Sequence, residues 1–262
     1  GGIKKRPFSD EKGARIWLEK AISRLGTELK NMDLKKIEQE FRENFLKLQN
    51  YMGDDTVILH GQSGTGLDNL RYSLGLKFFS YLSVDRPELI TEYLDLATKK
   101  EIKKIHVIAD NNLSPCALTY GDIAYKGSLM HSPEWLRKEF IPRIKKLNEA
   151  WHEHGIKCLF HSDGDLTDIL PDLIQADIDG LNPIETAAGM TLEEVRQDYG
   201  EKIFLAGGID ISNLMSLGTP AEVREVCEQA IETAYPGYFI GSTTELDNGS
   251  KLENILTMVD VA

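Results

Sequence analysis

Six short stretches of this chain end in side chains able to move protons or hold cations. They are His60-Gly61-Gln62, Asp110-Asn111-Asn112, His161-Ser162-Asp163-Gly164-Asp165, Asn182-Pro183-Ile184-Glu185, Gly207-Gly208-Ile209-Asp210 and Gly241-Ser242-Thr243-Thr244-Glu245. His161 and Asp163 are two residues apart, a spacing that puts both on one side of an extended chain, where they can share a proton or a metal ion. Two readings of the carboxylates in this stretch stay open: Asp163 does chemistry with His161, or Asp163 merely holds His161 while Asp165 caps the following helix. Gly207-Gly208 either lets backbone approach a ligand or permits a tight turn, and it lacks the G-x-G-x-x-G spacing of a dinucleotide site.

These stretches need a scaffold that aims them at one place. Each follows a β-rich run: Val57 to His60, Ile105 to Ala109, Cys158 to His161, Gly180 to Pro183, Ile203 to Ala206 and Tyr238 to Ile240. Amphipathic helical patterns alternate with them near residues 87 to 100, 133 to 154, 166 to 176, 191 to 199, 220 to 235 and 251 to 261. Local signals support the helix starts: Thr219-Pro220-Ala221-Glu222 and Thr191-Leu192-Glu193-Glu194 carry capping-box spacing, and Ser132-Pro133-Glu134 places a hydroxyl cap, a proline and an acidic first turn. Alternating strands and helices imply parallel strands with crossover helices. In a (β/α)8 barrel the C-terminal strand ends converge on one rim, so residues far apart in sequence become neighbours. Imidazoles and carboxylates are costly to bury unpaired, so six polar ends together point to a shared pocket.

On this reading His161, Asp163, Glu245 and Asp110 are the candidate catalytic residues, and His60, Gln62, Asn182, Glu185, Gly207, Gly208 and Asp210 are candidates for substrate binding. His161, Asp163 and Glu245 form the candidate metal set, a hard one of imidazole and carboxylates. Residues 1–55 read as a helical N-terminal segment and 56–262 as six βα units, in a single domain overall. Six units do not close an eight-stranded barrel, so the expectation is an α/β TIM-type barrel lacking about two N-terminal βα units.

Composition narrows the function classes. The 30 basic and 42 acidic residues leave a formal charge of -12, which opposes adhesion to nucleic acid or to an anionic membrane. No apolar run is long enough to span a bilayer, and the N-terminus has no basic stretch followed by an apolar one, so the chain reads as cytoplasmic. Three well-separated cysteines, Cys116, Cys158 and Cys227, argue against both a disulfide framework and a cysteine-rich zinc site, and Cys158 reads as a small core residue.

The stretch from His161 to Asp165, then Ile178-Asp179-Gly180-Leu181-Asn182-Pro183-Ile184-Glu185, then Tyr199 to Asp210, resembles the C-terminal half of the uroporphyrinogen decarboxylase and cobalamin-dependent methyltransferase superfamily. Gly218-Thr219-Pro220, the Gly241 loop and Leu252-Glu253-Asn254-Ile255 fit the same pattern, and the likeness runs over roughly residues 55 to 262. The resemblance implies a (β/α)8 barrel with its pocket at the C-terminal rim and one of two activities. The first is methyl transfer from a small O- or N-methylated compound to a corrinoid on a partner protein, with zinc in some members held by H-x-C and a later cysteine. The second is decarboxylation of a tetrapyrrole with no cofactor. A non-catalytic tetrapyrrole-binding protein on the same scaffold is a third reading, and a homodimer is compatible with all three. Here the H-x-C pair reads His161 and Asp163, and the later cysteine position reads Thr244 with Glu245 beside it, a set poorly suited to a thiolate zinc site. Methyl transfer is the first expectation because the strand ends bring carboxylates and amides, whereas a tetrapyrrole rich in carboxylates calls for basic side chains.

Overall fold

A computed structural model describes residues 6–54 and 56–262. In chain order the elements are α1 (Glu11–Lys30), α2 (Leu34–Met52), β1 (Gln62–Gly64), α3 (Leu67–Asp85), α4 (Pro87–Ile108), β2 (Cys116–Tyr120), β3 (Ala124–Tyr125), β4 (Ser128–Leu129), α5 (Pro133–Glu139) and α6 (Ile141–His152). They continue with β5 (Lys157–His161), α7 (Leu170–Gln175), β6 (Gly180–Ile184), α8 (Leu192–Tyr199), β7 (Phe204–Ile209), α9 (Pro220–Ala234), β8 (Tyr238–Ser242) and α10 (Leu252–Val261). The chain divides into two compact units, one of residues up to Gly121 with Arg137–Lys157, the other of Asp122–Leu136 with Cys158–Ala262.

In the first unit β1 and β2 pair in parallel, Ser63 opposite Thr119. Trp151 of α6 is fully buried and donates its indole N–H to the Ser63 hydroxyl at 2.9 Å, which satisfies the ring's one polar atom. Arg143 of α6 is buried between carboxylates, 2.7 Å from Asp95 of α4 and 3.1 Å from Glu139. A buried guanidinium is tolerated only with such partners.

The second unit holds the strands in the order β5-β6-β7-β8, all parallel, with His161 opposite Asn182 and Ile209 opposite Ser242. Its core is the apolar run of these strands, including Phe160, Leu181, Leu205 and Ile209, covered by residues such as Val223 and Cys227 of α9. Strands buried on both faces read as continuous hydrophobic runs, which is why β5, β6 and β7 were visible as such in the sequence. The capping box at Thr219 and Glu222 forms as expected, and Thr191 accepts the Glu194 N–H at 3.2 Å.

Two expected strands are corrected. Ile105 to Ala109 is not a strand: it forms the last turn of α4 and its cap, with Ile105 and Ile108 buried three residues apart on the helix face that also carries Leu94 and Thr98. The strand lies farther along, at Cys116–Tyr120. Val57 to His60 precedes the ladder, which begins at Gln62, although the backbone of His60 and Gly61 already bonds to Cys116 and Leu118. Helix α3 and the β3–β4 hairpin were not anticipated.

Candidate active site

The turn after β5 is built before it is decorated. Ser162 is fully buried, its hydroxyl accepts the Ile123 N–H at 3.1 Å and donates to the Asp163 carbonyl at 2.9 Å. Gly164 has φ of +94°, and a Cβ there would lie 2.5 Å from the Tyr125 backbone nitrogen, so only glycine lets the β3–β4 hairpin pack so closely. The Gly164 N–H donates to Glu185 Oε2 at 2.7 Å, bringing the residue after β6 onto the same turn.

Around this turn four side chains gather. Asp122 Oδ1 stands 4.0 Å from Nε2 of half-exposed His161. Thr244, from the loop after β8, donates its hydroxyl to Oδ2 of Asp163 at 3.4 Å. The other oxygen, Oδ1, is buried and has no hydrogen-bond partner among the described residues. Burial pushes the Asp163 carboxyl above the usual carboxylate range; the His161 charge works against this, the negative charges of Asp122 and Glu185 add to it, and the Thr244 hydrogen bond opposes it. A carboxyl so placed keeps its proton more readily than a surface aspartate, and a carboxylic acid beside an imidazole is a candidate proton donor.

Of the residues expected at the site, the structure thus brings together His161, Asp163 and Glu185. Asn182 lies opposite His161 on β6 and its carbonyl accepts the Ser162 N–H at 3.2 Å, so its backbone serves the ladder. Gly207 and Gly208 have φ of +100° and +91°, and what approaches them is protein: a Cβ on Gly207 would lie 2.8 Å from the Ile184 nitrogen, and one on Gly208 2.5 Å from Leu192. Asp210 accepts the N–H of Ser212 at 2.7 Å and the side-chain amide of Asn213 at 2.9 Å, occupying its carboxylate as a cap. Asp165 accepts the Thr167 N–H at 3.0 Å and closes a turn, but it is not the cap of the following helix, which begins at Leu170 with Ile169 at the cap position. Glu245 is exposed and makes no hydrogen bond or ion pair among the described residues.

His60, Gln62 and Asp110 are corrected. Because the true strands begin at Gln62 and Cys116, His60 and Asp110 precede β1 and β2 and Gln62 opens β1, so all three lie at N-terminal strand ends, the end associated with stability in this architecture. His60 is 1% exposed, stacked on Phe41 at 5.2 Å, and its Nε2 accepts the Asp110 N–H at 2.8 Å. The Asp110 carboxylate is held by Arg42 at 2.7 Å, which with the Asn112 hydrogen bonds keeps it below the usual carboxylate range. Sequence reasoning missed Asp122. Its signal was Cys116-Ala117-Leu118-Thr119-Tyr120, a β-branched and aromatic run ending in Gly121-Asp122, overshadowed by the more aliphatic Ile105 to Ala109.

The zinc implied by the resemblance does not fit these donors. Among the described residues no close trio of histidine, cysteine or carboxylate ligands includes His161, Asp163 or Glu245. No thiol joins them either: Cys158 is buried within β5, and burial pushes the Cys227 thiol up to about 11, away from the thiolate that zinc requires.

The sequence profile of the family described as Uroporphyrinogen decarboxylase (URO-D) matches residues 50–262. The chain belongs to the uroporphyrinogen decarboxylase family. Its parallel strand pairing and interleaved helices are those of a partial (β/α)8 barrel of the URO-D fold. A solved structure, a methyltransferase from Methanosarcina mazei, superposes with a TM-score of 0.68 at 18% identity, over 84% of this chain and 62% of that one. At that identity the likeness is one of fold, and this URO-D chain spans under two thirds of the length of that methyltransferase. No curated protein matches the sequence. Among the described residues no helix is long and apolar enough to cross a membrane.

Proposed function

We propose that this URO-D family chain carries the proton-donating part of a methyltransferase site, moving a methyl group from a small O- or N-methylated compound to a corrinoid on a partner protein. The carrying observation is Asp163: a carboxyl with a raised proton affinity and one buried oxygen that has no hydrogen-bond partner among the described residues, beside His161 and between the loops that follow β5, β6 and β8. When a nucleophile takes the methyl group, the bond from carbon to oxygen or nitrogen breaks and its electron pair stays on the heteroatom. An unprotonated heteroatom leaves poorly. Proton transfer from Asp163 neutralises the leaving group and leaves Asp163 as a carboxylate, which His161 can balance in charge. The corrinoid supplies the nucleophile and is a co-substrate; Asp163 and His161 hold and move the proton. Family membership and the barrel shared with the Methanosarcina protein support this reading.

Decarboxylation is the second reading, favoured by the name under which the family is described. Against it stands the charge of the site, where the groups acting on Asp163 are two carboxylates, one imidazole and one hydroxyl. The test is the chain incubated with a reduced corrinoid protein and a panel of methyl ethers and methylamines, followed by methyl-corrinoid absorbance. Asp163→Asn is expected to lower turnover roughly 100- to 10,000-fold, the usual contribution of a general acid. Undiminished turnover in Asp163→Asn sinks the assignment. Carbon dioxide release from a porphyrinogen favours the second reading, and binding of corrinoid or porphyrinogen without turnover of either makes the chain a non-catalytic binding protein.

A further inference from the structure

Asp122 entered this site unannounced by its sequence, and the local backbone says why it is where it is. Its neighbour Ile123 is fully buried, its N–H is held by the Ser162 hydroxyl at 3.1 Å and its carbonyl accepts the Met130 N–H at 2.7 Å. The backbone beside Asp122 is thereby pinned to the same turn that carries His161, while the Asp122 side chain stays 54% exposed. Its Oδ1 faces Nε2 of His161 at 4.0 Å, and this is the one ion-pair contact of His161 among the described residues. Asp163, two residues along, Glu185, bonded to Gly164, and Asp165, bonded to Thr167, are the other charged groups at the turn.

An imidazole with no fixed partner exchanges its proton between its two nitrogens, and a nearby negative charge favours the proton on the nitrogen nearer to it. We propose that Asp122 is a positioning residue of the site: its carboxylate, 4.0 Å from Nε2 and so acting through space and not by a hydrogen bond, biases the proton of neutral His161 toward that nitrogen, leaves Nδ1 as the basic position, and balances the ring when it is charged. Its catalytic meaning rests on the reading of Asp163 as the proton donor, because only then does the state of the neighbouring imidazole matter to turnover. Its structural content does not.

The experiment is long-range proton–nitrogen correlation NMR on the chain with nitrogen-15 histidine, the His161 signals assigned by their loss in His161→Gln. At a pH where the ring is neutral, the expected spectrum shows Nε2 protonated and Nδ1 bare. Asp122→Ala and Asp122→Asn are expected to give a measurable share of the other tautomer, and Asp122→Glu to restore the first. Thermal midpoints should stay within a few degrees, since the Asp122 side chain is half-exposed. A wild-type ring protonated on Nδ1, or a tautomer ratio unmoved in both Asp122→Ala and Asp122→Asn, overturns the proposal. Turnover of Asp163→Asn reports separately on the proton donor, so the two readings fail independently.

Discussion

The Thr244 hydroxyl donates to Oδ2 of Asp163 at 3.4 Å, so a residue from the loop after β8 acts on the proton affinity of a residue from the turn after β5, against the larger effect of burial. A hydrogen bond to the charged form favours that form, so it works against the upward push of burial. Thr244→Val should raise the Asp163 titration midpoint further, whereas Thr244→Ser should leave it near the wild-type value. Carbon-13 carboxyl NMR on aspartate-labelled protein reads this directly. A midpoint that falls in Thr244→Val would show that the hydroxyl does not act on Asp163.

His60 is expected to matter to stability and its pH dependence. Burial lowers its proton affinity, against the raising effect of its backbone hydrogen bonds and of Asp110, and its Nδ1 is buried with no hydrogen-bond partner among the described residues. With the folded pKa depressed below the ordinary histidine value of about 6.5, the unfolded chain takes up the proton first as pH falls. The stability contribution is therefore full above that value and is lost as pH drops toward the folded pKa. His60→Ala should cost roughly 3 kcal/mol, as for other large buried rings, and His60→Gln should flatten the acid limb of stability against pH. Urea melts at a series of pH values check both, and a curve in His60→Gln parallel to wild type would exclude the residue as the titrating group.

How far sequence reached depended on whether a strand's pattern competed with a helix's. The four parallel strands β5 to β8 were legible because each is a short apolar run followed at once by its polar end, and His161, Asp163 and Glu185 came with them. Strand β2 was hidden because Ile105 to Ala109 is more aliphatic than Cys116 to Tyr120, although its buried residues keep the period of α4. That one displacement moved Asp110 to the wrong end of a strand and concealed Asp122. Helix α3 escaped notice because apolar residues surround it, Leu70 and Leu74 buried but Tyr72, Leu76 and Val84 exposed, and because Gly75 breaks it with φ of +73°. No spacing rule reveals that Asp210 would spend its carboxylate on its own turn while one Asp163 oxygen has no hydrogen-bond partner among the described residues, since that depends on the β3–β4 hairpin packed on Gly164 and on the Thr244 side chain from the loop after β8.

Gly207 is required by packing. Its φ of +100° is unfavourable for any residue with a Cβ, and that atom would sit 2.8 Å from the Ile184 nitrogen and 2.9 Å from Pro183 Cβ. The Gly207 carbonyl also accepts the Tyr238 hydroxyl at 2.5 Å, so displacement of this backbone would disturb β8 as well as β6. Gly207→Ala should destabilise by roughly 2 to 4 kcal/mol from strain and overpacking together. A denaturant midpoint within error of wild type would show that β6 and β7 have slack that the structure does not.

Glu245 and Asp163 separate proximity in sequence pattern from proximity in space. Both were candidates for the same proton or metal, yet Asp163 is half-buried with a raised proton affinity while Glu245 is exposed and unengaged among the described residues. A solvated carboxylate is surrounded by competing water, so it has little to offer a leaving group. Glu245→Gln should therefore keep methyl-transfer turnover within about threefold of wild type, against the loss of roughly 100-fold or more expected from Asp163→Asn. The two variants measured side by side on the same donor and corrinoid protein give the comparison. Equal losses would mean that the loop after β8 folds Glu245 onto the turn of β5 during turnover, and that the proton is shared between two carboxylates instead of being held by one.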